Sequence, residues 1–378
     1  MLGLGEDSLM NDQKDYFCIL TINDDSNYGN RLQNYALQEL LKQYGPVTTT
    51  RTYLNVSGGV VFQLRRLKHQ LSHLKTEVMM LAGGQKRNEA LRRMNFYRFT
   101  HDYVPDNLIC CADSGSFQAK AGMRIRKVIL GSDQVWNYTF GLSKNALRLR
   151  LGAFFPSEKL FSYAASIGLD NIDDEWAPIF HDCLNRIPAI SVREETAKKL
   201  VESVSNQKAT VVLDPTLMIS AEKWRNVFSG FVPDDDKYVL TYFLGKPSDN
   251  QERIIEQYAK EHGLRIRRLN DLSDPETYPA GPREFVELFA KAQYVFTDSY
   301  HACCFSLIFN KDFKVYNRNS KGMANMNSRM QTLFHLFDLD TDMSKEDELP
   351  AYDHAHLNAQ LNDLRHQSQE WLDATINR

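Results

Sequence analysis

The sequence predicts an α/β protein of two domains, each built around a parallel β-sheet. Three observations carry that reading. Short apolar runs that end in turn residues alternate with helical patterns along most of the chain, which is how parallel strands joined by crossover helices are written. These units fall into two series, separated by the acidic, proline-containing stretch FVPDDDK from Phe231 to Lys237. A length of 378 residues exceeds what one ordinary core holds and suits two. The expected domains are residues 16–230 and 237–378. With 43% apolar and 25% charged residues, such cores can close without metals or disulfides.

The first series opens with FCILTI after Tyr16, a strand that ends in the polar turn NDDSNYGN. RLQNYALQELLKQYG follows, with Leu32, Ala36, Leu37, Leu40 and Leu41 at helical spacing and Gly45 as the stop. Strand signals return at VILGSDQVW, where Val128 to Leu130 run into Gly131, and again at LFSYAAS, AISVREETAKKLV and VVLDPTLMI. The second series begins at KYVLTYFLG and a helix from Gln251 to His262. It continues with the strand LRIRRL, the helix PREFVELFAKA, the strand YVFTDS, the segment YHACCFSLIF and the strand FKVYN.

A segment between the first two units stands apart. Leu64, Leu67, Leu71, Leu74, Val78 and Leu81 recur three and four residues apart, while Arg65, Arg66, Lys68 and Lys75 lie opposite. Lys86, Arg87, Arg92 and Arg93 follow. A basic amphipathic helix can lie on an anionic membrane. More often its leucines cover their own domain or pair with another subunit, so peripheral contact with a membrane stays an open expectation.

Other classes are easier to set aside. A net charge of −3 argues against a strongly basic nucleic-acid binder. Cys18, Cys110, Cys111, Cys183, Cys303 and Cys304 show no CxxC spacing, so no zinc or thioredoxin-like site is expected. Adjacent cysteines seldom bridge, and reduced, buried thiols are the expectation. The first residues carry Glu6, Asp7, Asp12 and Asp15 with no apolar stretch, unlike a signal peptide. No window approaches the roughly 18 apolar residues of a membrane span. A cytoplasmic protein is expected.

In open parallel sheets the ligand sits beyond the C-terminal strand ends, so the residues after each strand are the informative ones. After the first come Asn23, Asp24, Asp25, Ser26, Asn27, Tyr28, Gly29, Asn30 and Arg31. Gly29 permits a turn that other residues resist, and the helix N-terminus offers N–H groups to an anion or to sugar hydroxyls. Asn23, Asp24 and Asp25 could equally cap that helix. There is no GxGxxG, so a dinucleotide site is not indicated. Asp133, Gln134 and Trp136 put a carboxylate, an amide and an aromatic ring at one strand end, a combination that grips a sugar. The alternative for Asp133 is a helix cap. Arg193, after Ile190 to Val192, suits a carboxylate or phosphate; otherwise it pairs with a nearby acid. TDSYHA places Asp298, Ser299 and His301 at a strand end, where a histidine can hold phosphate or move a proton.

Taken together, SNYGNRLQNYALQ, VILGSDQVWN, FSYAASIG, ISVREE, VVLDPTLMIS with Trp224, and VFTDSYHACCFSLIFNKDF resemble the polysaccharide pyruvyl transferase family, over roughly Tyr16 to Leu339. The resemblance implies two facing Rossmann-like domains in the GT-B arrangement, with the C-terminal helix from Leu357 to Ile376 packing back on the first domain. It implies phosphoenolpyruvate as donor and a pyruvate ketal on two hydroxyls of a surface-polysaccharide sugar or its lipid-linked precursor. No metal or cofactor is expected besides the co-substrate. Arg193 and His301 look like donor-binding residues, with Lys321 as a third and Arg329 in reserve. His301 is also the candidate acid, Asp133 or Asp24 the candidate base. Asn27, Tyr28, Asn30, Arg31, Gln134 and Trp136 are candidates for the acceptor. Many relatives carry arginine and leucine where Ser299 and Tyr300 stand, so Arg31, Arg318 or Arg329 would have to meet part of the donor charge.

The alternative is a nucleotide-sugar glycosyltransferase of the same shape. Glu276 and Glu284 match an E-x7-E spacing, but Pro279, Gly281 and Pro282 between them argue against one helix face. A scaffolding relative without activity is a third class. The acceptor sugar and the oligomeric state are not written in the sequence.

Overall fold

The computed structural model describes residues 14–53, 76, 79, 83–111, 117–118, 124–318, 327–339 and 343–377. The basic leucine pattern over 64–81 lies almost wholly outside these residues, as does Lys321.

Two sheets organise the chain. The larger contains β1 (Asp15–Leu20), β2 (Val47–Tyr53), β3 (Asp106–Cys111), β4 (Phe117–Gln118), β5 (Arg124–Asp133), β6 (Leu160–Ala165), β7 (Ile190–Val192) and β8 (Ala209–Val211). Its order is β4-β3-β2-β1-β5-β6-β7-β8, parallel except where β3 meets β4. The smaller contains β9 (Tyr238–Tyr242), β10 (Arg265–Leu269), β11 (Tyr294–Thr297) and β12 (Asp312–Val315), all parallel, in the order β10-β9-β11-β12. Strands covered on both faces read as unbroken apolar runs. β6 and β9 are buried at every residue, as are the last four residues of β1.

The helices, in chain order, are α1 (Tyr28–Leu41), α2 (Gly84–Tyr103), α3 (Lys144–Arg150), α4 (Ala177–Leu184), α5 (Glu195–Val204), α6 (Pro215–Met218), α7 (Ala221–Arg225), α8 (Asp249–Glu261), α9 (Pro282–Lys291), α10 (Tyr300–Ile308), α11 (Asn327–Leu336) and α12 (His354–Ile376). Strand order reverses between β1 and β5 in the larger sheet and between β9 and β11 in the smaller. Those reversals are where doubly wound sheets open a crevice.

The two halves are fastened together by aromatic packing. Tyr28, at the start of α1, stacks on Phe285 of α9, meets Tyr242 edge-on and lies against Phe96 of α2. Its hydroxyl donates to the Ala280 carbonyl at 2.7 Å. Arg92 lies over the Tyr28, Phe96 and Tyr278 rings, so this member of the basic run covers an internal seam.

The stretch between the sheets is pinned rather than loose. The Glu287 carboxylate on α9 accepts the backbone N–H groups of Ser229, Phe231 and Val232, and Lys291 donates to the Val232 carbonyl. Beyond β12 the chain returns to the first half. Thr332 on α11 accepts the Glu195 N–H, Ser368 on α12 accepts the Leu213 N–H, and Arg365 donates to the carbonyls of Leu217 and Ile219. Among the described residues, no helix is long and apolar enough to cross a membrane.

Candidate active site

The crevices of the two sheets face each other, and the charged residues at their strand ends meet there. Asp133 ends β5 with φ +66, a left-handed conformation that few residues other than glycine adopt without reason. Its backbone carbonyl accepts from Val135 and Ser166, while its carboxylate turns inward. There it takes Asn30 Nδ2 at 3.3 Å and Arg193 Nη2 at 3.4 Å. The Asn30–Asp133 bond spans the β1/β5 reversal.

Arg193 follows β7 with its side chain 1% exposed. Its Nη1 donates to Asp214 Oδ2 at 2.6 Å, and its guanidinium lies 4.4 Å over the Tyr300 ring. Asp214 precedes the proline that opens α6, and its Oδ1 caps that turn by accepting from Thr216 N at 2.9 Å and Thr216 Oγ1 at 2.7 Å. From the other half comes His301, in the first turn of α10, with Nε2 3.7 Å from the same Asp214 Oδ2. Arg329 of α11 is buried in this group as well.

The electrostatics follow from burial and pairing. Burial drives the Asp133 carboxyl upward, but Arg193, with His301 and Arg329, outweighs it and holds the group at about 2. Asp214 is depressed in the same way, burial being overcome chiefly by Arg193 and His301. Both acids are ionised at neutral pH. His301 is pushed below its usual value, first by burial and then by the two arginines, against the upward pull of Asp214 and Asp133. The imidazole is therefore neutral at pH 7. Burial and Arg193 together bring Arg329 down to about 10.

A pH dependence follows. Because the fold depresses the His301 pKa, its contribution to stability is complete above the ordinary histidine value of about 6.5 and is lost as pH falls from there through the lowered folded value. Asp133 and Asp214 contribute fully above about 4 and are lost only below that. Urea midpoints should therefore fall between about pH 7 and pH 5, and His301→Gln should flatten that slope while leaving the loss below about pH 4. An unchanged slope in the variant would remove His301 as its source.

Several expectations need correction. Tyr28 and Trp136 are fully buried, and the Trp136 indole donates to the Arg150 carbonyl at 3.2 Å, so neither ring can stack on an acceptor. Arg31 is buried too, donating to the Ile22 carbonyl and to Asn30 Oδ1. It holds the β1 loop rather than meeting a donor or acceptor. Asn30, 1% exposed, is likewise occupied by Asp24 N, Arg31 and Asp133. Asp24 turns its Oδ1 to Ser26 N and Oγ, which leaves Asp133 the better placed of the two candidate bases. Arg318 is engaged by Asp298, which also accepts the Leu244 and Gly245 N–H groups. Asn27 caps α1, and Gln134 accepts from Asn137 while remaining half-buried.

Glycine is needed at position 29 for a reason other than a turn. It lies within α1 and not in the left-handed region; instead, a Cβ there would stand 2.0 Å from His301 Nδ1. Close approach, not a turn, requires glycine. Glu276 pairs with Arg265, whereas Glu284 caps Gly281 in the first turn of α9, so the E-x7-E spacing forms no joint site.

Three residues of the site went unassigned in the sequence. Asp214 sat in the VLDPT motif, where aspartate before proline at a strand end reads as a cap. Glu194 accepts from Ser166 Oγ and the Ile167 and Gly168 N–H groups through Oε1. Arg150 feels the Asp133 charge across the site, and nothing in its spacing signals this. Among the described residues, Arg193 Nε, His301 Nε2, Glu194 Oε2 and Arg150 Nη1 are buried without a hydrogen-bond partner. Leaving such groups unmet costs about 1–3 kcal/mol each, so their clustering marks an incomplete polar site.

The described residues include no group of His, Cys, Asp and Glu able to hold a metal. The sequence model of the polysaccharide pyruvyl transferase family matches residues 27–319. Among solved structures, UDP-GlcNAc 2-epimerase from Neisseria meningitidis is similar at 14% identity, covering 94% of this chain and 99% of that one with a TM-score of 0.41. UGT89C1 from Arabidopsis thaliana is similar at 10% identity, covering 94% of each chain with a TM-score of 0.40. No curated protein matches the chain.

Proposed function

Because the chain belongs to the polysaccharide pyruvyl transferase family, we propose that it transfers pyruvate from phosphoenolpyruvate to a sugar of a surface polysaccharide or its lipid-linked precursor. The product is a pyruvate ketal on two sugar hydroxyls. The single observation that carries this reading is the meeting of Arg193, Arg329 and His301, drawn from both halves, with buried polar atoms of Arg193 and His301 unpartnered. Such a group suits a small polyanion held between domains.

The chemistry assigns the parts. A proton is delivered to the methylene carbon of the donor, C2 becomes electrophilic, and a sugar hydroxyl oxygen bonds to it while its proton goes to a base. The C2–O bond to phosphate then breaks with its electron pair, and a second hydroxyl closes the ketal, releasing another proton. His301 is the acid and a phosphate contact. General acid assistance of this kind contributes about 10²–10⁴-fold. Asp133 lies at the crevice, but a carboxylate held at about 2 is a weak base at neutral pH, and its acceptance of the hydroxyl proton depends on the donor drawing Arg193 away. Arg193 and Arg329 face Asp133, Asp214 and Glu194, so these two arginines alone leave too little positive charge for a trianion. Arg150 and Lys321 are the cations we assign to the balance. Gln134 and Asn27 are left as the acceptor contacts, and meeting across two halves allows closure to exclude water.

The test is thermal stability with phosphoenolpyruvate against UDP- and GDP-sugars, followed by mass spectrometry of a lipid-linked oligosaccharide pool. At about 100 times its Kd, phosphoenolpyruvate should add about 2.7 kcal/mol, and the oligosaccharide should gain one pyruvyl ketal. Stabilisation by a nucleotide sugar with none from phosphoenolpyruvate would overturn the reading in favour of glycosyl transfer.

A further inference from the structure

Asp214 Oδ2 is shared between the two halves of the protein. It binds Arg193 Nη1 at 2.6 Å and stands 3.7 Å from His301 Nε2, just beyond a hydrogen bond. Its other oxygen is fixed by both polar atoms of Thr216, so the carboxylate cannot swing freely. His301 Nε2 is buried and has no hydrogen-bond partner among the described residues. A Cβ at Gly29 would stand 2.0 Å from Nδ1 and 2.5 Å from both Cγ and Cε1, so the N-terminus of α1 covers the face of the ring at Nδ1 and does not lie in line with its N–H.

We propose that Asp214 is a positioning residue for His301, its Oδ2 receiving the Nε2–H when donor binds and so stabilising the imidazolium that delivers the Nδ1 proton. The proposal rests on the pyruvyl-transfer reading above. The imidazole is faced by Asp214 before α6, Asp133 at the end of β5, Arg193 after β7, Arg329 on α11 and the Tyr300 ring beside it. The two arginines and burial keep it neutral. A bound phosphate and carboxylate offset those arginines and draw Arg193 toward themselves, freeing Oδ2 for the imidazole. One proton then sits between Nε2 and Asp214, and the second, on Nδ1, passes to the methylene carbon. The imidazole left behind is neutral, and the departing phosphate carries the electron pair of the C2–O bond. A histidine that is neutral when empty and charged when loaded spares the ligand-free fold a buried cation.

The experiment uses the full chain labelled with [15N]histidine, wild type and Asp214→Asn, with the His301 ring shifts followed across pH with and without phosphoenolpyruvate. His301→Gln assigns the resonance. In wild type, phosphoenolpyruvate should move the ring from neutral to charged near pH 7. Asp214→Asn should titrate at lower pH than wild type even without ligand, and should stay neutral when loaded. Its kcat should fall by about 10²-fold, its affinity for phosphoenolpyruvate should change only a few-fold, and the alkaline limb of its pH profile should move to lower pH by about one unit. Identical His301 titration in the two proteins would overturn the proposal, as would a lower kcat with an unshifted limb. Should Asp214→Asn fail to fold, the wild-type arm decides, and a ring that stays neutral in the donor complex overturns it. Failure of wild type to bind phosphoenolpyruvate would sink the donor reading instead, and the ligand-free arm would still decide whether Asp214 governs His301.

Discussion

Replacing Arg193 with alanine is expected to destabilise the protein by about 3–5 kcal/mol at neutral pH, because it leaves buried carboxylates without their cation. Arg193 is 1% exposed and Asp214 0%, so water cannot substitute for the lost guanidinium. Its Nη1 satisfies Asp214 and its Nη2 satisfies Asp133, and both interactions go at once. The sign of the pH dependence distinguishes this from simple loss of packing. With Arg193 gone, burial would raise Asp214, and the folded state would bind a proton more tightly than the unfolded chain does. The penalty is then complete at neutral pH and shrinks as pH falls and the carboxyl is protonated. Arg193→Lys restores charge without the planar fork and should recover only part of the loss. Denaturant midpoints for the three proteins at about pH 7 and about pH 5 are the measurement. A loss under about 1 kcal/mol, or one independent of pH, would mean that the two acids find other partners.

That expectation also shows what the sequence could and could not reveal. Arg193 was legible because a short apolar strand ends immediately before it, and strand ends point into crevices. His301 was legible for the same reason. That the two would share Asp214 was not legible, since the contact joins residues 87 positions apart, a separation fixed only by how the halves pack. Trp136 failed as a platform because it packs into the core beside β5, whereas Tyr28 and Arg31 failed for one shared cause. Each follows a strand in the right place, but α1 lies between the halves and buries nearly every residue it has. An aromatic ring at a strand end is then core rather than a sugar platform, and an arginine there caps carbonyls.

The strands behaved similarly. β5 and β6 announced themselves through apolar runs, whereas β2, written VTTTRTY, did not. Its threonines are β-branched and suit a strand, yet a count of apolar residues overlooks them. Thr48, Thr49 and Thr50 are nonetheless fully buried: α1 supplies the partners of Thr49, Gln38 donating to its Oγ1 and Asn34 Oδ1 accepting from it, while Thr50 donates to the Ile19 carbonyl of β1. A polar helix face and a polar strand become core together, and neither reads as core alone.

Gly29→Ala is expected to reduce turnover by about 10²-fold or more, since displacing a reacting group by about 1 Å has that effect. The added methyl would stand 2.0 Å from His301 Nδ1 and 2.5 Å from Cγ and Cε1, well inside contact distance, so ring or helix must move. Elsewhere in a helix, alanine for glycine stabilises by about 0.5–1 kcal/mol. Here overpacking of about 1–3 kcal/mol opposes that gain, and the net effect is a loss. The two contributions separate in a double-mutant cycle. In a His301→Ala background the methyl meets no ring, so Gly29→Ala should become neutral or stabilising there while remaining destabilising in wild type. Thermal melts of the four proteins, with turnover of the two that keep His301, test this directly. If Gly29→Ala costs the same stability in both backgrounds, the methyl is meeting something other than the imidazole. If it leaves turnover intact, the N-terminus of α1 does not set the position of His301.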